Sequence, residues 1–175
     1  MHIRKAPITH SDELFLFALY STTRQAELAN VPWNEEQKQA FLKMQFQAQN
    51  QHYTTKFPNA SFLLLSIDDQ PVGRLYTAEF EDEIRILDLT LAPDFRNKKI
   101  GSQLLEEILQ DAQSKNKSVQ IYLEDFNQAK NLFSRLGFEV AAEEGFYQLW
   151  RWSANITSSE KAIQKSGIAS SQAGI

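Results

Sequence analysis

The sequence has no cysteine, and it has only 6 glycines and 3 histidines in 175 residues. Without cysteine, disulfides, thiolate metal sites and a cysteine nucleophile are all excluded. The histidines (His2, His10 and His52) are scattered along the chain, so we predict no metal site and no histidine-based triad. The glycines are too dispersed for the GxGxxG or GxxxxGK[ST] loops that cradle nucleotide phosphates.

Long apolar runs and a strong net charge are also missing. No run is long enough to cross a bilayer, and the N-terminus lacks the apolar segment of a secretory signal, so we predict a cytoplasmic protein without a membrane partner. The net charge is −4, and the basic residues are local, which argues against a nucleic-acid partner. The length suits one domain, predicted at residues 1–152. The Ser/Ala-rich tail at 153–175 is predicted to be disordered.

Hydrophobic periodicity predicts an α+β fold. Strands are expected at about 2–8, 60–68, 72–80, 83–91, 119–123, 138–141 and 146–152, and helices at about 13–22, 34–53, 99–114 and from 125 or 127 to 136. A polar connector is expected at 23–31, and Asn34 with Gln37 forms a capping-box pattern. The strand at 83–91, the helix at 99–114 and the strand at 119–123 make a βαβ unit, which requires the two strands to be parallel.

The strand at 83–91 changes phase partway along. Ile84 and Ile86 point to one face, whereas the leucines at positions 87, 89 and 91 point to the other. Burial on both faces would explain this pattern. A β-bulge near residues 86–88 would explain it equally well, and bulges often lie beside active sites.

The turn that follows this strand is basic. Arg96, Lys98 and Lys99 lie within four residues, directly before a predicted helix. A helix N-terminus presents unpaired N–H groups and the positive end of the helix dipole. Cations added there build an anion site, most naturally for phosphate. The alternative is a solvated surface turn.

Two motifs resemble those of the GNAT N-acetyltransferase superfamily. The first is Leu89-Thr90-Leu91, then Pro93, then Arg96-Asn97-Lys98-Lys99-Ile100-Gly101, which is similar to the family's Arg/Gln-x-x-Gly-x-Gly/Ala. The second runs from Asn127 to Phe138 and is similar to Asn-x-x-Ala-x-x-Leu-Tyr-x-x-x-Gly-Phe. The resemblance implies a central mixed, mostly antiparallel sheet of about seven strands, flanked by about four helices. It also implies that the two parallel central strands splay after Leu89.

The resemblance implies acetyl-CoA as co-substrate. The backbone of Leu89 and Leu91 would bind the pantetheine arm, and a free N–H near Leu89 would polarise the thioester carbonyl. Asn127 would hydrogen-bond near the pantetheine or the thiolate, and Phe133 would pack against the arm. The implied cofactor-binding residues are Leu89, Thr90, Leu91, Arg96, Asn97, Lys98, Lys99, Ile100, Gly101, Ser102, Asn127 and Phe133.

Three residues depart from the family pattern. Asn97 and Lys99 stand where glycines are frequent, and we expect the charge of Lys99 to compensate for a looser approach of the backbone to the pyrophosphate. Phe133 stands where the family often places a tyrosine that protonates the departing thiolate, and phenylalanine has no proton to give. Tyr122 and Tyr147 are alternative acids, although each also fits a strand aromatic with a surface hydroxyl.

Acetyl transfer to an amine needs a base, because an alkyl amine is mostly protonated at neutral pH. The carboxylates on or beside the central strands are Glu79, Glu83, Asp88 and Glu124. Asp88 is the first choice, since it interrupts an apolar strand one residue before the cofactor segment. A water relay to Glu83 is the alternative, and a purely structural pairing of Asp88 is a third reading.

The acceptor is expected on the opposite side of the splay, under the connector at 21–36 and the last hairpin. Its candidate contacts are Arg24, Glu27, Trp33, Tyr53 and Tyr147, although Trp33 also fits a hydrophobic staple for its helix. The predicted reaction is direct acetyl transfer, in a ternary complex, to a primary amine of a small molecule or peptide. The alternative is a CoA-binding GNAT-fold module with little catalysis, acting as a sensor or interaction domain. A homodimer is left open.

Overall fold

The computed structural model describes residues 2–154, so the predicted tail lies outside the described residues except for its first two positions. The strands are β1 (Arg4–Pro7), β2 (Ser61–Ile67), β3 (Gln70–Glu79), β4 (Glu83–Leu91), β5 (Ser118–Glu124), β6 (Glu139–Glu144) and β7 (Tyr147–Trp152). The helices are α1 (Glu13–Thr22), α2 (Gln25–Ala29), α3 (Glu35–Lys56), α4 (Ile100–Ser114) and α5 (Lys130–Arg135).

The seven strands form a single sheet in the order β1-β2-β3-β4-β5-β7-β6. Every neighbouring pair is antiparallel except β4 and β5, which are parallel, as the βαβ unit requires. The mixed, mostly antiparallel sheet predicted from the sequence is confirmed.

Two apolar clusters lie on opposite faces of this sheet. The larger one packs α4 and α5 against the central strands, with Leu104, Leu105 and Phe133 among its buried members. The smaller one packs α1 and α3 around Leu16 and Phe46. The central strands are therefore covered by helices on both faces, and this burial is the main source of stability.

The strand β4 has two different halves. Its parallel register with β5 runs from Glu83 opposite Ser118 to Ile86 opposite Ile121 and stops there. The register with β3 then shifts, because Tyr76 lies opposite Asp88 and Thr77 opposite Ile86, which leaves Leu87 as an extra residue. The bulge explanation of the phase change is confirmed. The strands separate after Ile86, so the predicted position of the splay, after Leu89, is wrong by three residues.

Local signals placed most helix ends correctly. The α1 helix has the predicted bounds, and Asn34 and Gln37 form the predicted capping box at the start of α3. The predicted polar connector at 23–31 is wrong in part, because Gln25–Ala29 forms the short helix α2. Its residues are good helix formers, so the signal was present. The predicted start of α5 at residue 125 or 127 is wrong: the helix begins at Lys130, because Asn127 accepts from the Ala129 N–H in the turn before it.

Candidate functional site

The N-terminus of α4 is open. Lys99 precedes the helix in the left-handed conformation (φ 64°), and no side chain caps it. The first intrahelical bond runs from the Gln103 N–H to the Lys99 carbonyl at 3.0 Å. The amides of Ile100, Gly101 and Ser102 therefore have no acceptor within the helix. Free amides and the helix dipole together favour an anion at this end.

The basic turn has the backbone shape of a glycine turn without its glycines. Asn97 (φ 58°) and Lys99 both have positive φ, at the two positions where the resembled motif commonly has glycine. A left-handed conformation costs a non-glycine residue about 1 kcal/mol. The turn thus has a glycine-like backbone and carries an ammonium in place of a hydrogen. The Lys99 side chain makes no ion pair within residues 2–154.

A cavity of about 200 Å³ lies against this helix end. Its lining is formed by Lys98, Lys99, Ile100, Ser102, Gln103 and Glu106. Lys98 is held over the ring of Phe95, with the ammonium 5.5 Å from the ring centroid. Four of the predicted cofactor residues thus line one cavity, and their charges and amides fit a phosphate group.

Arg96 is engaged within the fold. Its Nε donates to the Leu91 carbonyl at 2.9 Å, and its Nη2 donates to the Thr22 hydroxyl at 3.0 Å. The side chain therefore ties the end of β4 to the end of α1. Its predicted role with phosphate stays a prediction, and the Leu91 carbonyl already has a donor.

The open half of β4 offers backbone groups at its free edge. The Ala92 N–H donates to the Val72 carbonyl, and the Thr90 carbonyl points towards Gly73, so these two residues face β3. By alternation, the N–H and C=O of Leu89 and Leu91 face the side of β5. The pairing with β5 has ended at Ile86, so no strand bonds these groups.

Asp88 is part of a buried network. Arg74 Nη2 donates to Asp88 Oδ2 at 2.7 Å and Arg74 Nε donates to Oδ1 at 3.2 Å, while the Thr90 hydroxyl donates to Oδ1 at 2.7 Å. The side chain of Arg74 is 1% exposed and that of Asp88 is 11% exposed. A general base must reach the proton that it removes. Both oxygens of Asp88 are occupied by this pairing, so the structural reading is the one that the contacts support.

Arg74 is the central residue of this network, and sequence reasoning missed it. Its Nη2 also donates to Gln49 Oε1 on α3 at 2.9 Å, while its Nη1 is buried without a hydrogen-bond partner in the described part of the chain. Burial opposes the charge of Arg74, but the neighbouring Asp88 carboxylate raises its pKa above the ordinary value. A lone arginine in an apolar strand was the available signal.

Glu83 lies at the other end of β4. It accepts a hydrogen bond from Arg85 Nη2 at 2.5 Å and another from Gln120 Nε2. At about 3.3 Å per residue, it is about 20 Å along the strand from Leu89. The structure therefore does not bring Glu83 to the splay, and a catalytic role for it is only a prediction.

An ion-pair cluster lies at the end of β5, next to the opening between β4 and β5. Arg24 pairs with Glu27 at 2.9 Å and with Glu124, the last residue of β5, at 3.6 Å. Tyr147 lies opposite Glu124 in the sheet and is 46% exposed. Three of the predicted acceptor and acid residues thus lie around Glu124, at the end of β5 where the strands have separated. They are Arg24, Glu27 and Tyr147.

The remaining predicted site residues have local partners. Trp33 packs edge-on against Phe41 of α3. Asn127 accepts from the Ala129 N–H at 2.9 Å in the turn before α5. Phe133 is 3% exposed and packs edge-on against Phe138 within the core. Their predicted contacts with a cofactor or substrate stay predictions.

Residues 2–154 contain neither a cluster of metal ligands nor a membrane-spanning helix. No three or more His, Asp or Glu side chains there are grouped so that they could hold a metal ion. None of the described helices is both long and apolar enough to cross a membrane.

The sheet is mixed and opens between two parallel strands, and the uncapped N-terminus of α4 follows the open half of β4. The chain belongs to the acetyltransferase (GNAT) family, whose model matches residues 19–138. A comparison with curated proteins finds no match.

Solved structures share this fold. The PaiA N-acetyltransferase of Thermoplasma acidophilum, in complex with coenzyme A, is 18% identical with a TM-score of 0.65, over 87% of this chain and 99% of that one. An acetyltransferase of Thermus thermophilus is 19% identical with a TM-score of 0.64, over 87% and 97%. The ribosomal-protein-S18-alanine N-acetyltransferase of Escherichia coli is 13% identical with a TM-score of 0.60, over 90% and 97%.

Proposed function

We propose that this protein transfers an acetyl group from acetyl-CoA to a primary amine of a small molecule or peptide, directly and within a ternary complex. The observation that carries the proposal is the open half of β4 next to the uncapped N-terminus of α4, in a chain of the GNAT family. The absence of cysteine supports direct transfer, because no cysteine acyl-enzyme can form.

We infer that acetyl-CoA binds at two elements: its phosphates at the N-terminus of α4 and its pantetheine arm at β4. The amides of Ile100 to Ser102 and the ammonium of Lys99 would hold the phosphates of acetyl-CoA. The backbone of Leu89 would pair with the pantetheine arm, and its N–H would polarise the carbonyl that acetyl-CoA supplies. These contacts need no particular side chain at position 89, which agrees with an apolar residue there.

Glu124 is our choice for the base. Asp88 pairs closely with the almost wholly buried Arg74, and Glu83 lies at the far end of β4. Glu124 lies at the end of β5, its side chain is 26% exposed, and its contact with Arg24 is longer, at 3.6 Å. A carboxylate in this position would accept the proton of an incoming ammonium, directly or through one water. Arg24 would orient Glu124, and the exposed Tyr147 beside it would contact the acceptor.

A second function is kept open by one observation. Phe133 is buried and has no hydroxyl, so the usual proton donor for the thiolate is missing. A module that binds CoA without efficient catalysis, as a sensor or interaction domain, would tolerate this substitution.

Calorimetry with acetyl-CoA, followed by release of the CoA thiol against an amine panel, tests the proposal. We expect binding, and turnover with at least one amine. On that amine, Glu124→Gln should lower kcat by about 100-fold because it removes the base. Glu143→Gln, which removes an exposed acid of the β6–β7 hairpin, should leave kcat unchanged. Absence of acetyl-CoA binding would refute both functions, and binding without turnover would favour the second.

A further inference from the structure

Side chains occupy two carbonyls in the open half of β4. The Leu91 carbonyl accepts from Arg96 Nε at 2.9 Å, and the carbonyl of Leu87, the extra residue of the bulge, accepts from the Tyr53 hydroxyl at 3.1 Å. Leu89 lies between them with its backbone facing the opening. Along the open edge, the Leu89 backbone therefore lies between two carbonyls, those of Leu87 and Leu91, that already accept side-chain hydrogen bonds.

Tyr53 is firmly held in this position. It lies in the last turns of α3, and its ring packs edge-on against Tyr76 of β3 at 5.8 Å. The ring of Tyr76 in turn lies beside the Arg74 guanidinium, which is 5.0 Å from the ring centroid. Packing of the Tyr53 ring against β3 therefore directs its hydroxyl at the bulge.

Tyr53 is a permanent donor and a poor acid. Burial raises its pKa well above that of a free phenol, and the negative charge of Asp88 raises it further. A phenol that keeps its proton so strongly has little driving force for transfer to a thiolate. Its bond to the Leu87 carbonyl should persist across the whole working pH range.

We propose that Tyr53 is a positioning residue that sets the register in which the pantetheine arm of acetyl-CoA pairs with β4. By occupying the Leu87 carbonyl, it prevents the arm from pairing two residues too early and leaves Leu89 as the pairing residue. By fixing the bulge, it also orients the Leu89 N–H before the donor binds, so less ordering has to accompany binding. This inference rests on the proposed use of acetyl-CoA.

Two ligands separate this role from a general effect on the fold. Acetyl-CoA carries both the phosphates and the pantetheine, whereas 3′-phosphoadenosine 5′-diphosphate carries only the phosphate end. Tyr53→Phe keeps the ring and its packing against Tyr76 and removes only the hydroxyl. We expect the Kd for acetyl-CoA to rise about five- to tenfold, which corresponds to one hydrogen bond, with the Kd for the fragment unchanged.

Tyr20→Phe is the matched control. Tyr20 is a buried residue of α1, and its hydroxyl donates to Gln45 Oε1 of α3 at 3.3 Å rather than to a carbonyl of β4. The loss of this hydroxyl should change neither affinity. An unchanged fragment affinity also shows that Tyr53→Phe has kept its fold.

The outcomes are distinguishable. Unchanged or tighter acetyl-CoA binding by Tyr53→Phe would overturn the positioning role and leave the proposed function standing. An equal loss for both ligands would show that the hydroxyl is merely structural, and this would also overturn it. A wild-type protein that binds neither ligand would refute the proposed function and the inference together.

Discussion

The two halves of β4 belong to one strand but differ in what satisfies their backbone. From Glu83 to Ile86 the strand is bonded on both edges, to β3 and to β5. From Leu87 to Leu91, β3 is the only neighbouring strand bonded to it within residues 2–154. On the other edge, Tyr53 of α3 and Arg96 of the basic turn donate hydrogen bonds to the Leu87 and Leu91 carbonyls. In the open half, side chains thus satisfy backbone carbonyls that a neighbouring strand satisfies in the paired half.

The acids of the two halves differ in their surroundings. Glu83 has an exposed fraction of 18% and is held by Arg85 and Gln120 at the surface end of the strand. Asp88 is paired with an arginine that is almost wholly buried. A buried pair is strongly destabilised when one partner is removed, because the other charge is left without compensation.

The largest expected effect is on stability, when the buried ion pair beside the open half of β4 is broken. Arg74→Met leaves the Asp88 carboxylate buried without its main donor, and we expect the free energy of unfolding to fall by about 3–5 kcal/mol. Glu83→Gln in the paired half keeps acceptor capacity and should cost less than about 1 kcal/mol. Urea unfolding of the two variants measures the difference.

The double variant Arg74→Met/Asp88→Leu sharpens this test. It removes both charges, so much of the lost stability should return. If Arg74→Met alone cost no more than Glu83→Gln, the buried pair would not be what supports the open half of β4.

The local features of the fold, such as the bulge in β4 and the start of α3, could be predicted from the sequence. The side-chain contacts around the open half of β4 depend on tertiary structure. The phase change from Ile86 to Leu87 signalled the bulge, and Asn34 with Gln37 signalled the helix start, because both are local patterns. The pairing of Asp88 with Arg74 depends on the register of a hairpin, which the sequence does not state. The bond from Tyr53 to Leu87 depends on how a helix packs across two strands, and no local pattern encodes it.

In the candidate site, too, features formed by adjacent residues could be predicted, whereas contacts between distant residues could not. The basic turn and the motif around Gly101 were visible as adjacent residues. The meeting of Arg24 with Glu124 joins residues 100 positions apart, and the commitment of Arg96 to Leu91 and Thr22 needs the position of α1. Charge adjacent in the sequence therefore predicts which cations line one cavity, whereas the partners of Asp88 and Glu124 are set by tertiary contacts.

The second prediction concerns the charge where the open half leads into α4. Lys99→Met keeps a non-glycine residue at positive φ and removes the ammonium, so the turn keeps its conformation and loses only charge. We expect the Kd for acetyl-CoA to rise about fivefold at low salt, and the difference to shrink as the salt concentration rises. Calorimetry at two salt concentrations measures both.

Lys43→Met provides the matched control for net charge, because Lys43 is an exposed lysine of α3. It should leave the affinity unchanged. Equal affinities of Lys99→Met and wild type at low salt would mean that the helix amides hold the phosphates without help from the turn.

The smallest expected effect lies beside the paired half, where Glu79 at the end of β3 accepts from Lys117 Nζ at 2.7 Å and from Lys115 Nζ at 3.1 Å. These lysines lower the pKa of Glu79 below its ordinary value. The resulting stabilisation is present above the ordinary carboxylate pKa and is lost as pH falls through the lower, folded-state pKa. Since the Glu79 side chain is 47% exposed, solvent screening limits this stabilisation to less than about 1 kcal/mol.

The urea midpoint of Glu79→Gln should therefore lie slightly below that of the wild type at neutral pH and converge with it in acid. Glu81→Gln in the adjoining turn is the control, and its midpoint should follow that of the wild type throughout. If the gap persisted in acid, the effect of Glu79 would come from packing and not from its charge.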